Sequence, residues 1–145
     1  MIPLEVKNLK HAVLGGGICF LIIYILRPTV SNGLFLILQD LAWIGLLSYP
    51  EGVNAMSLLL LATVYMPSGF LGGLYTGHKV KENLMINLAF PALIGFAGLI
   101  AFGFVTGNMN FESSSFQREI LTILIGNMIG AYFGGYTINW GREKE

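Results

Sequence analysis

Four stretches of this chain contain none of its sixteen Asp, Glu, Lys and Arg residues: 12–26, 55–77, 84–106 and 120–140. A helix needs about 20 apolar residues to cross a ~30 Å hydrocarbon core, and the last three stretches are long enough. The first becomes so when Lys10 and Arg27 extend outward from its ends. In lipid the backbone must satisfy its own hydrogen bonds, so these stretches are expected to be helices. The composition agrees. Charged residues are 11% of the 145, against roughly 25% in soluble domains, and the mean hydropathy is +0.70. The expected fold is all-α: one integral membrane domain, 1–145, with four transmembrane helices near 10–27, 53–77, 84–106 and 120–140.

A fifth apolar stretch, 33–49, is interrupted by Gln39-Asp40. Charge placement argues against its crossing. With four spans, Lys7, Lys10, Lys79, Lys81, Arg142 and Lys144 share one side and only Arg27 and Arg118 the other, the asymmetry of a cytoplasmic face carrying both termini. A fifth crossing removes that bias and puts Asp40 near the bilayer centre, at about 2.5–3.5 kcal/mol. The stretch is therefore expected as an interfacial or re-entrant helix at the outer face. Arg27-Pro28 and Ser31-Asn32-Gly33 are expected to end the first helix. Pro50-Glu51-Gly52 is expected as a turn before the second, Gly107–Asn110 to close the third, and Ser114-Ser115-Phe116-Gln117 as a capping box opening the fourth. Lys7 and Lys10 before an apolar run look like the start of a signal peptide. No small-residue cleavage site follows, so an uncleaved span is expected.

The glycines are ordered. Gly69, Gly73 and Gly77 fall four apart, with Ser68 and Gly72 one step round the helix. Gly126, Gly130 and Gly134 do the same, with Ala131 and Gly135 beside them. Spacing of four places each set on one face. Small residues there let backbones approach, the main attraction between helices in lipid. Ser68–Gly73 also matches Gly130–Gly135, 62 residues on, a weak internal repeat of two helix pairs in the same orientation. The spacing leaves open whether these faces pack within one chain or between copies.

These residues carry a resemblance. Gly69-x-x-Gly72-Gly73-x-x-x-Gly77, a Pro- and Gly-bearing third helix, and Gly126-x-x-x-Gly130-x-x-x-Gly134-Gly135 resemble a group of small archaeal four-helix membrane proteins classed as a domain of unknown function. The resemblance covers residues 66–141. It implies an archaeal cytoplasmic membrane and brings no activity with it.

Chemistry-bearing residues are few. Asp40 is the only acid inside an apolar stretch; if 33–49 dips inward it could meet a cation or Arg27. Asn87 and Asn127 are the polar residues well inside spans three and four. Each amide needs a partner: the other amide, another copy, or the carbonyls of Thr63 and Asn87 freed by Pro67 and Pro91. Two histidines, His11 and His78, and one cysteine, Cys19, give no metal-ligand spacing, and no nucleophile–base pair or phosphate loop is present. Eight basic against eight acidic residues favour no nucleic acid. No catalytic, cofactor or metal site is expected. The leading expectation is a non-catalytic membrane protein that packs through its glycine faces, with the lipid bilayer and either itself or other membrane subunits as partners. The alternative is a passive channel or small-solute transporter using bent helices two and three.

Overall fold

A computed structural model describes residues 6–80, 84–106 and 114–142. All of its regular elements are helical: α1 (Val6–Trp43), α2 (Tyr49–Leu60), a π-helical turn (Leu61–Tyr65), α3 (Met66–Lys79), α4 (Leu84–Val105) and α5 (Ser114–Arg142). Four continuous segments, Asn8–Trp43, Pro50–Lys79, Met85–Val105 and Gln117–Ile138, are long and apolar enough to cross a membrane. The chain is a multi-pass membrane protein.

The first helix does not stop where its sequence suggests. It continues through Pro28, Asn32 and Gly33 to Trp43, 38 residues in all and about 57 Å long at 1.5 Å per residue. A separate helix over 33–49 is not formed; residues 33–43 are the last three turns of α1. The physical reason is packing. Pro28 removes one backbone donor, and the apolar residues beyond it, Val30 and Leu34, pack against the core cluster that contains Leu60, Val64 and Tyr65. The stop comes at Gly45, which takes φ +75°. Its N–H donates to the Ala42 carbonyl at 3.0 Å, and the Leu46 N–H to the Leu41 carbonyl at 3.0 Å. That pair of bonds is a Schellman motif, and it requires a left-handed residue that glycine supplies without strain.

Pro50-Glu51-Gly52 is likewise not a turn but the first turn of α2. Ser48 precedes it in extended conformation, with its N–H and hydroxyl donating to Glu51 Oε2 at 2.8 and 2.7 Å. Proline is tolerated in a first turn because its missing donor would be unpaired there anyway. The π-helical turn in the second span precedes Pro67: the Met66 N–H donates to the Leu61 carbonyl, a bond one residue longer than an α-helical one. α4 ends at Val105; the expected closure at 107–110 lies outside the described residues, as do the side chains needed to judge a capping box opening α5.

Helix directions follow from the contacts. His11 and Gly15 on α1 meet Thr76 on α3, and Cys19 meets Ser68, so α1 and α3 are antiparallel. Gly16 lies against Pro91 and Ile94, Cys19 against Gly95 and Phe20 against Gly98, so α1 and α4 are parallel. Gly69 faces Asn127, Gly73 faces Ala131 and Gly77 faces Gly135, so α3 and α5 are parallel too. The molecule is two antiparallel pairs, α1/α3 and α4/α5, laid side by side in the same sense. The first pair is prolonged by the hairpin of distal α1 and α2.

Candidate functional site

The glycines hold α3 and α5 backbone to backbone. A Cβ on Gly69 would run into the Asn127 carbonyl, and one on Gly73 into that of Ala131. From the other side, Gly130 faces the Met66 carbonyl and Gly134 that of Phe70. Gly126 would come within 2.7 Å of Tyr65 Cβ, and Gly77 within 2.8 Å of Gly135 Cα. The remaining two look elsewhere: a Cβ on Gly72 would come within 2.6 Å of the Gly15 carbonyl on α1, and Gly135 accommodates the Leu88 side chain on α4. All eight are engaged inside one chain. Glycine Cα–H groups aimed at carbonyl oxygens form weak hydrogen bonds of about 0.5–1 kcal/mol each, added to the dispersion gained by close approach.

The seam has its own register. Gly69 and Gly130, Met66 and Asn127, Gly73 and Gly134, and Phe70 and Ala131 exchange places across it, each pair 61 residues apart. The sequence match at 62 pairs residues with different surroundings. Ser68 and Gly72 face α1, whereas Gly130 and Gly134 face α3.

A polar cluster lies at the centre of the bundle. The Ser68 hydroxyl is 2.9 Å from Asn127 Oδ1 and 2.8 Å from the Tyr65 carbonyl, and the Cys19 thiol approaches Ser68 Oγ at 3.7 Å. Asn127 is fully buried, and its Nδ2 has no partner among the described residues. Asn87 is buried as well, but it is not beside Asn127. The residue after it, Leu88, meets Gly135, two helical turns further along α5. The two amides therefore serve different levels of the bundle.

Charge appears one level higher. Arg27, at the end of the first apolar window, forms an ion pair with Glu119, at the start of the fourth. Its Nε donates to Glu119 Oε1 at 2.7 Å, its Nη2 donates to the same oxygen, and the Tyr65 hydroxyl donates to it at 3.2 Å. The π-helical turn ends at Tyr65, which is wholly buried and reaches the carboxylate from below. Asp40 takes no part. It is exposed, between three and four turns beyond Arg27 on α1. These partners are missed when spans are defined by the absence of charge, because the windows end at Leu26 and begin at Ile120, one residue short of each. The usable signal is that two opposite charges flank the adjoining ends of two spans that run in opposite directions.

Two cavities meet at this ion pair. The larger, about 570 Å³, lies between distal α1, α2 and the start of α5. The smaller, about 260 Å³, lies between α1, α4 and α5 and has Ile23, Phe96, Phe102 and Ile123 in its walls. Arg27 and Glu119 line both, and their side chains keep 46% and 30% of their surface exposed. No protein-family model matches the chain, and no curated protein and no solved structure matches it.

Proposed function

We propose that the chain is a non-catalytic protein of the cytoplasmic membrane, with both termini in the cytoplasm, that assembles with a further membrane helix, in a second copy or in another subunit. One observation carries this reading. The glycine faces that would serve as docking strips are filled by the chain's own backbone, while the α1–α2 hairpin is left with a bare apolar surface. Phe35, Leu36 and Ile37 are 57–62% exposed, and Trp43, Ile44 and Leu46 are 64–90% exposed. This apolar surface lies beside the exposed polar residues Gln39 and Asp40, on the part of α1 that reaches beyond a ~30 Å hydrocarbon core, where lipid tails do not cover it. The hairpin lies toward the outer surface, where the distal half of α1 rests at the membrane interface.

The mass of the particle in a native-like nanodisc tests this. A discrete homo-oligomer or a complex with another subunit is expected. The triple variant Phe35→Ser, Ile37→Ser, Leu46→Ser should release a folded monomer. A wild-type chain that stays monomeric in the nanodisc refutes the reading.

A further inference from the structure

We propose that the larger cavity is a binding site for an anionic single-chain amphiphile, an apolar chain ending in a carboxylate or phosphate group. The inference rests on the cavity; of the residues proposed for assembly, Phe35 also lines it, and the variants that test the site, at Arg118 and Met56, leave that face unchanged.

The cavity is two-ended. Phe35 and Leu38 on α1 and Val53 and Met56 on α2 form a mainly apolar wall that also holds the uncharged Gln39, Ser48 and Ser57; the charged residues of the lining, Arg27, Arg118 and Glu119, stand at the other end. Its volume of about 570 Å³ falls within the range of roughly 300–1,000 Å³ that encloses one small ligand. The apolar wall suits a hydrocarbon chain, which gains by leaving water or a headgroup layer.

The charges at the polar end do not cancel. Glu119 is engaged by Arg27 through Nε and Nη2 and by the Tyr65 hydroxyl. Arg118 adds a second guanidinium to the same lining and is exposed, and it makes no ion pair among the described residues. Two cations against one carboxylate leave a net positive charge facing the cavity. A guanidinium fork is suited to a carboxylate or phosphate in two-point contact, and such charge-assisted bonds are about twice as strong as neutral ones. The partial exposure of Arg27 and Glu119 makes them reachable from within. An anionic headgroup can bind at Arg118 and share Arg27 without dismantling the ion pair.

Native mass spectrometry of the full chain, stripped of lipid in neutral detergent, tests the site with oleate, oleoyl lysophosphatidylglycerol, oleyl alcohol and acetate. One equivalent of oleate or of the lysolipid is expected to bind, and the preference between them tells a free fatty acid from a membrane-lipid source. Arg118→Gln should weaken binding about tenfold, the loss of one charge-assisted hydrogen bond, with unchanged thermal unfolding. Met56→Trp should block the apolar end. Equal binding of oleyl alcohol, displacement of the amphiphile by acetate, or undiminished binding by Arg118→Gln overturns the proposal.

Discussion

Gly73 and Gly17 show how differently two helical glycines behave. A Cβ at Gly73 would strike the Ala131 carbonyl, whereas one at Gly17 would meet nothing within 4 Å. Gly73→Ala must therefore part α3 from α5 and is expected to destabilise by about 1–3 kcal/mol, as overpacked cores do. Gly17→Ala removes only the flexibility of a helical glycine and is expected to stabilise by about 0.5–1 kcal/mol. Thermal unfolding of both variants in detergent measures the difference. Sequence spacing identified the faces on which small residues collect. It held no information about which helix would meet which face, since that depends on how four helices close around one another. The ion pair makes a second residue-scale case. Because Arg27 and Glu119 border cavities, a double-mutant cycle with Arg27→Gln and Glu119→Gln is expected to give a coupling of about 1 kcal/mol, not the ~3–5 kcal/mol lost on breaking a dry pair.

At the scale of elements, α1 decides the shape of the molecule. Its stop depends on Gly45, the only described glycine at positive φ. Gly45→Ala forces a side chain into the left-handed region, at roughly 1–2 kcal/mol, and should loosen the hairpin. Hydrogen exchange should rise across 41–52 while α4 and α5 keep their protection. Pro28→Ala should act in the opposite direction, because an interior proline costs up to ~3 kcal/mol in a helix and its ring is exposed. Four spans were legible in the chain because charge is expensive in lipid, so its absence over twenty residues is a strong statement. The continuity of α1 was not. Pro28, Asn32 and Gly33 are all ordinary helix terminators and are exposed; what overrules them is the packing of their neighbours Val30 and Leu34 against the cluster of Leu60, Val64 and Tyr65. An irregularity near Pro67 was foreseeable from the missing proline donor. Its form, a wide turn that swings Tyr65 toward Glu119, comes from the contacts it completes.

At the scale of the whole molecule, α3 and α5 meet backbone to backbone along their glycine faces, and the alternative of a passive channel using bent helices two and three is tested by flux. Proteoliposomes are expected to leak potassium and small neutral solutes no faster than protein-free vesicles; a leak that scales with protein content would favour the channel reading. The helices also differ in reach. About 57 Å of α1 exceeds a ~30 Å hydrocarbon core by far, whereas the 22 residues of α4 nearly match it. The apolar hairpin must therefore find cover in headgroups, in a neighbour or in a ligand. The reciprocal seam carries a consequence for how the chain can vary. Gly69 and Gly130 occupy mirrored seats, as do Gly73 and Gly134, so a saturation library selected for folding should show the same profile of permitted residues twice, once along α3 and again 61 positions later. Mutational tolerance in this protein would then be a periodic quantity, echoed from one half of the chain to the other.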